Sequence, residues 1–475
     1  MLIYFKYQRK PGCLLKELIK SIAVLGSGPA GYVAAIRASQ LGAEVVVIEE
    51  EDLGGVCLNR GCIPTKALLK TAEIAVMAKR SKEFGIESQL EAKNWGVAVD
   101  RKNRIVKNLN SGLDNLLRAR GITVLKGKGT VLSERKILVQ TTEEVIEVNC
   151  EKMILTTGAV PLILPIKGID SAGVITSDEA LNLKALPESI VIIGAGVIGL
   201  EFAAMLGHAG VKVTIIELQD RILPNEDREI AAELQKIMKR QGIIFKLSAS
   251  VTEIHKIEDG LIVTYSMGEK EFRHPCEKVL VAAGRKTNSD IFEKLPLTIE
   301  KGAVVVDEFM ETNVKGVYAA GDLVGGKQLA HLAFMEGKVA AENALGITSK
   351  VNYSAVPTCI YTNPEMASVG MTEEQAKRAG LSVKVGRFDF RNNGRALTLG
   401  EREGFVKVIA DQDNTIIGGQ ILGVDASEMI SELTLAITLK AKADDIADMI
   451  HPHPALSEAI WEACGEILGK PIHKL

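Results

Sequence analysis

SIAVLGSGPAGYVAA (21–35) and SIVIIGAGVIGLEFA (189–203) decide the fold, because they are one pattern written twice, 168 residues apart. Each opens with a short apolar, β-branched run, as expected of a parallel strand buried on both faces. Each continues into Gly-x-Gly-x-x-Gly and then a helical pattern. Each reaches an acidic residue 23 positions after its first glycine, Glu49 in EVVVIEE and Glu217 in KVTIIEL. One such glycine motif is weak evidence. Two in a strand–turn–helix–strand frame, each with its carboxylate, predict two Rossmann-like dinucleotide-binding domains in an α/β protein. Gly26 and Gly194 permit the tight turn, Gly28 and Gly196 let the backbone approach a pyrophosphate, and Gly31 and Gly199 let helix and strand pack closely. Glu49 and Glu217 are the expected acceptors for ribose hydroxyls. A carboxylate at Glu217, with Arg221 the one base close behind it, disfavours a 2′-phosphate and favours NAD over NADP.

Downstream of the first copy stands GGVCLNRGCIPTK (54–66), with four residues between Cys57 and Cys62. Two thiols at this spacing can close a tight local disulfide. A flavin on the preceding glycines lies close by, so the pair reads as a two-electron relay: thiolate attack opens the disulfide and the flavin closes it again. Two structural cysteines are the plainer reading of such a pair, and the nucleotide motif upstream disfavours it.

Length and composition agree. A chain of 475 residues exceeds one core and calls for about three domains. A net charge of −3 offers no basic field for nucleic acid. No apolar run reaches the roughly 18 residues of a membrane helix. Seven scattered cysteines point to a reducing, cytoplasmic setting in which any disulfide is catalytic. The first twenty residues, with Lys6, Arg9, Lys10, Lys16 and Lys20 against Glu17 alone, read as a loosely attached extension.

A third signal is VYAAGD (317–322), a strand ending in Gly-Asp, followed by a helical pattern over 331–344. Asp322 suits a second contact to an extended dinucleotide. Beyond about residue 350, strand-like runs at 382–390, 404–410 and 415–422 mix with helical patterns at 372–379 and 427–441, predicting an α+β domain. Thr372 with Gln375 three residues on is a capping box. Near the end stands HPHPALSE (451–458), whose prolines hold the chain extended before a helix. Glu458 falls in the first turn of that helix, where its carboxylate can orient His453 as a general acid–base.

With these residues in view, the chain resembles the pyridine nucleotide-disulfide oxidoreductase family over about residues 20–470. The motifs that carry the resemblance are GSGPAG, GGVCLNRGCIPTK, GAGVIGLE, AAGRKTN, YAAGD, TNPEMASVG, NGRAL, GFVKV and HPHPALSE. CLNRGCIPTK and HPHPALSE point to the branch that oxidises dihydrolipoamide. The resemblance implies FAD on the first glycine motif, NAD on the second, and a homodimer formed through the C-terminal domain. It implies that Cys57 exchanges with substrate, that Cys62 contacts the flavin, and that His453 of one subunit serves the disulfide of the other. Lys66 and Glu201 match the pair beside the reactive edge of the flavin, and Gly158 and Gly284 complete the cofactor-binding candidates. No metal is expected.

The implied domains are residues 1–150 for FAD, 151–280 for NAD, 281–350 completing the FAD domain and 351–475 as the interface domain. The implied partner is the lipoyl-bearing protein of a 2-oxo acid dehydrogenase or glycine cleavage complex, with no nucleic acid and no membrane. A glutathione-reducing relative calls for arginines after the second nucleotide strand. A mercury-reducing one calls for a vicinal Cys pair where this chain has Cys464 alone. A mainly structural docking subunit is the reading from another class, disfavoured because each chemical residue is in place. Ala455 stands where Thr is common in the family, which predicts a weaker cap on the last helix.

Overall fold

The computed structural model describes residues 15–88, 94–292 and 294–474. They fall into two compact units. The first is assembled from Met1–Pro64, Asn103–Val160 and Arg285–Val351, the second from Thr65–Lys102, Pro161–Gly284 and Asn352–Leu475.

In the first unit, the strand Leu15–Leu25 pairs in parallel with Val45–Glu49 on one side and Val145–Leu155 on the other. Among the described residues they belong to a seven-stranded sheet. Successive side chains point to opposite faces, and both faces are covered. Ile22, Val24, Val45, Val47 and Ile154 form one core with alanines of the helices Pro29–Gln40 and Ala330–Ala344. Ala23, Leu25, Val46, Ile48, Met153 and Leu155 form another on the opposite face. This double burial is why the runs are apolar throughout instead of alternating.

The sequence reading starts this strand at Ser21. The structure starts it at Leu15, with Leu15–Lys20 paired residue by residue against Val145–Cys150. The partner strand is long because it also continues an antiparallel hairpin, so its backbone groups need donors and acceptors that residues 15–20 supply. Asn149 donates to Glu17 at 2.8 Å, and Lys20 pairs with Glu44 at 3.3 Å. The extension expected over the first twenty residues is therefore corrected for 15–20; the rest of it lies outside the described residues.

The second unit repeats the arrangement. Its five-stranded parallel sheet runs Ile244–Lys246, Lys212–Ile216, Ser189–Ile193, Lys278–Val281, Val174–Ile175. A three-stranded antiparallel meander, 250–276, packs Ile254, Leu261, Val263 and Tyr265 against Val191, Ile193 and Val279.

The C-terminal portion carries a five-stranded antiparallel sheet ordered Thr358–Ile360, Glu365–Gly370, Ile416–Gly423, Phe405–Ala410, Lys384–Asp389. The helices Ala426–Leu439 and Glu458–Ile467 close a core on it through Ile430, Leu433, Ala459, Ile460 and Ala463. This is the expected α+β arrangement, and the capping box of Thr372 and Gln375 is formed. Among the described residues, no helix is long and apolar enough to cross a membrane.

Candidate active site

The two glycine loops share one geometry. Gly26 has φ +98° and Gly194 φ +109°, in the left-handed region open to glycine, and an added Cβ lands 2.4 Å from Thr156 O and 2.5 Å from Ala282 O respectively. A Cβ on Gly31 or Gly199 lands 2.0 or 2.1 Å from the carbonyl oxygen of its own first glycine. At the middle glycine the situation reverses. A Cβ on Gly196 meets nothing within 4 Å, and one on Gly28 only the Gly55 Cα at 4.0 Å. The fold needs the outer glycines, and the middle ones leave open space where a pyrophosphate fits. The helices that follow, Pro29–Gln40 and Val197–His208, aim their N-termini at that space, as an anion site requires.

The acidic residues are placed alike as well. Glu49 Oε2 accepts the N–H of Ser27 at 2.8 Å and its hydroxyl at 2.6 Å, while Oε1 accepts the N–H of Glu51 at 2.8 Å. Glu217 Oε2 accepts the N–H of Ala195 at 2.6 Å, and Oε1 that of Gln219 at 2.8 Å. Each carboxylate thus grips the residue between the first two glycines of its loop and retains lone pairs for a hydroxyl donor.

Gly158 and Gly284 occupy matching places. Each lies two residues past the carbonyl that crowds the first glycine, and in each case an added Cβ finds nothing within 4 Å. Asp322 follows the strand Val317–Ala319 in a short 3₁₀ turn. Burial pushes its carboxyl up, opposed by Arg285, whose Nε lies 3.9 Å away. Gly321, before it, donates its N–H to the buried Glu336 at 2.8 Å. These open, donor-rich surfaces fit two dinucleotides.

Cys57 lies on the helix Gly55–Arg60, and Cys62 opens the helix Cys62–Arg80. Their Sγ atoms are 2.6 Å apart. Asn59, which the sequence reading did not single out, ties the loop with its Nδ2, donating to Leu53 O at 2.8 Å and Gly55 O at 3.0 Å. Asn110 adds a bond to Leu53 O at 2.6 Å. Cys62 at a helix N-terminus is where negative charge on sulfur is favoured. The other described cysteines are of a different kind. Burial pushes the thiols of Cys150, Cys276 and Cys359 up to about 11 and that of Cys464 to about 12.

Lys66 and Glu201 meet as an ion pair, Nζ 2.9 Å from both carboxylate oxygens. Glu201 is buried, and its Oε1 also accepts the N–H of Tyr361 at 3.1 Å. The Tyr361 ring lies under Lys66 Nζ, 4.3 Å from it, a contact that the sequence reading missed.

His453 is exposed, and its Nδ1 lies 2.9 Å from Glu458 Oε1. The other ring nitrogen is directed away from this carboxylate. Glu458 is the first residue of its helix, and its Oε2 accepts the N–H of Ala455 at 2.8 Å. Burial pushes the Glu458 carboxyl up, but the Ala455 N–H and His453 outweigh it and hold it below its ordinary value. No side chain caps this helix at Ser457. Two residues back, the side chain of His451 is 4% exposed with Nε2 3.0 Å from Glu432, which pushes its imidazole up. Glu432 is 19 residues away in sequence, too far for spacing alone to suggest the pair.

Comparison with known families decides the larger question. Residues 20–337 match the model of the pyridine nucleotide-disulphide oxidoreductase, and residues 356–464 match that of its dimerisation domain. The chain belongs to this family. Among its curated relatives, the dihydrolipoyl dehydrogenase of Bacillus subtilis (strain 168) is 42% identical over 467 residues, covering 95% of this chain and 98% of the relative. That of Geobacillus stearothermophilus is 39% identical over 454 residues, covering 95% and 96%. Among solved structures, LpdA from Mycobacterium tuberculosis superposes with a TM-score of 0.87 at 26% identity, over 95% of this chain and 100% of that one. The HOCl-induced flavoprotein disulfide reductase RclA from Escherichia coli gives 0.84 at 29% identity, over 94% and 99%.

Proposed function

We propose that this oxidoreductase is a dihydrolipoyl dehydrogenase, oxidising dihydrolipoamide to lipoamide with NAD⁺. It works through the Cys57–Cys62 pair and FAD, as the flavoprotein of a 2-oxo acid dehydrogenase or glycine cleavage complex. The observation that carries the reading is the sulfur pair at 2.6 Å, on the chain that leaves the first glycine loop. FAD sits on Gly26, Gly28, Gly31, Glu49, Gly158 and Asp322. NAD sits on Gly194, Gly196, Gly199, Glu217 and Gly284. The domains divide as residues 1–150, 151–280, 281–350 and 351–475, the last forming a homodimer. Its cysteine usage supports a cytoplasmic setting, and its partner is a lipoyl-bearing protein.

In this mechanism His453, held through Nδ1 by Glu458, takes a proton from one substrate thiol at Nε2. The substrate thiolate attacks Cys57, the Cys57–Cys62 bond breaks, and Cys62 leaves as a thiolate. The second substrate sulfur then attacks the mixed disulfide, its proton passes to the departing Cys57 sulfur, and lipoamide is released, leaving both cysteines reduced with the first proton still on His453. Bound on the first glycine loop, FAD would supply a two-electron acceptor for the reduced pair and a hydride donor for NAD⁺. By the family pattern, Lys66, fixed by Glu201 and Tyr361, would be the positive charge beside the reactive edge of the flavin. Glu217 repels a 2′-phosphate. By the family pattern, His453 acts on the disulfide of the partner subunit.

The test is Cys57→Ser in the flavin-loaded enzyme. Lipoamide turnover is expected to vanish, and a long-wavelength absorbance band from the remaining Cys62 thiolate beside the flavin is expected to appear. Full lipoamide activity in that variant overturns the assignment.

A further inference from the structure

Lys407 lies mid-strand in Phe405–Ala410, where all six residues are buried, and its own side chain is 3% exposed. An ammonium in such a place requires compensation. It finds three carboxylates: Asp227 Oδ2 at 3.2 Å, Glu229 Oε2 at 3.1 Å and Glu373 Oε2 at 3.1 Å. Glu229 is shared with Arg387 and Glu373 with Lys377, so both retain a cation of their own. Asp227 is different. It is buried, and its other donors are the N–H groups of Glu229 at 3.0 Å and Ile230 at 3.4 Å, which it caps at the start of the helix Arg228–Arg240.

The segment from Glu217 to Asp227 runs from the second glycine loop to this cluster. At its start, Glu217 accepts the N–H of Ala195. Further on, Leu223, buried and at φ 48°, donates its N–H to the carbonyl of the same Ala195 at 3.1 Å. Ala195, between Gly194 and Gly196, is therefore gripped on both sides by one strap. At the far end, Glu226 accepts the Ser368 hydroxyl at 2.6 Å and Asp227 takes Lys407. Both anchors, Ser368 and Lys407, stand on the antiparallel C-terminal sheet.

We propose that Lys407 is a positioning residue for the second dinucleotide site, acting through Asp227 and the 217–227 strap to fix the loop that receives the pyrophosphate and ribose. The proposal rests on the reading of that loop as the NAD site. It assigns the C-terminal sheet a part in NAD affinity in addition to its part in the dimer.

The experiment compares Lys407→Met with wild type as flavin-loaded enzyme. The Km for NAD⁺ and the Kd for NADH are expected to rise on the order of 10-fold or more, because small displacements of a positioned group carry large penalties. The rate at which dihydrolipoamide reduces the enzyme in the absence of NAD⁺ is expected to stay unchanged, which a general loss of structure does not allow. Should Lys407→Met fail to fold, Asp227→Asn keeps the cap acceptor, removes the charge, and is expected to show the same NAD-selective loss. Unchanged nucleotide affinity, or equal losses in both half-reactions, overturns the proposal while NAD binding by wild type stands. A wild-type enzyme that binds no NADH overturns the reading of the site and the proposal together.

Discussion

Gly196 and Gly199 are three residues apart in one motif, yet alanine is expected to act on them in opposite ways. At Gly199 the new methyl carbon meets the Gly194 carbonyl oxygen at 2.1 Å. Carbon and oxygen in contact sit at roughly 3.3 Å, so the helix Val197–His208 must retreat by about 1 Å. That helix is locked, with Leu200, Phe202, Ala203, Ala204, Met205 and Leu206 all at most 2% exposed. Overpacking of this kind costs about 1–3 kcal/mol. At Gly196 the backbone is extended, φ −78° and ψ −174°, and the methyl enters open space. The folding cost there is within about 1 kcal/mol, that of a poorer N-cap. The methyl nevertheless fills the open space proposed for the pyrophosphate. Thermal melts and steady-state kinetics on both flavin-loaded variants separate the two effects. Gly199→Ala is expected to lower the melting temperature and raise the Km for NAD⁺. Gly196→Ala is expected to melt near wild type with the Km raised about 10-fold or more. An unchanged Km in Gly196→Ala refutes the argument, since no phosphate then approaches that backbone.

Four further outcomes are expected. The ratio kcat/Km is much higher for NAD⁺ than for NADP⁺, and equal values mean that the role of Glu217 is misread. Lys102 is buried and donates to the Asn182 amide at 2.8 Å, and burial holds its ammonium below the usual lysine range. Its charged form is thus disfavoured in the folded state, so Lys102→Met is expected to stabilise the protein at neutral pH. That gain shrinks as pH rises from the lowered folded value toward about 10.4, which melts across pH can check. His453→Gln is expected to cost on the order of 10²–10⁴-fold in the dithiol half-reaction. A heterodimer of one Cys57→Ser subunit and one His453→Gln subunit is expected to keep about half the wild-type activity if sites are shared across a two-fold axis; activity near zero means that each subunit uses its own histidine.

What was legible in the sequence was local. The glycine loops and their glutamates are spaced within one strand–helix–strand unit, and His453 with Glu458 and Cys57 with Cys62 sit within a few residues of each other. The two parallel sheets and the α+β C-terminal portion followed from periodicity. Lys66 and Glu201 are 135 residues apart, and family likeness, not spacing, suggested the pair. The meander over 250–276 was passed over because its strands carry exposed charged residues between apolar ones, a weaker signal than a doubly buried run. Lys407 did leave a trace. A lysine inside FVKVIA, a strand otherwise uniformly apolar, announces a buried cation and hence carboxylates elsewhere in the chain.

The grip of Glu217 on Ala195 sets a limit on redesign. An enzyme accepting a phosphorylated nucleotide needs the negative charge at Glu217 removed. The same side chain holds two backbone N–H groups of the strap and loop, so exchanging it for a basic residue leaves both donors without their acceptor, and a neutral amide keeps an acceptor for one of them. On the proposed role of Glu217, selectivity and loop rigidity are thus vested in one carboxylate. A cofactor switch has to introduce a second acceptor for Ala195 along with the new cation, and single substitutions here are expected to trade affinity for both nucleotides before they gain preference for either.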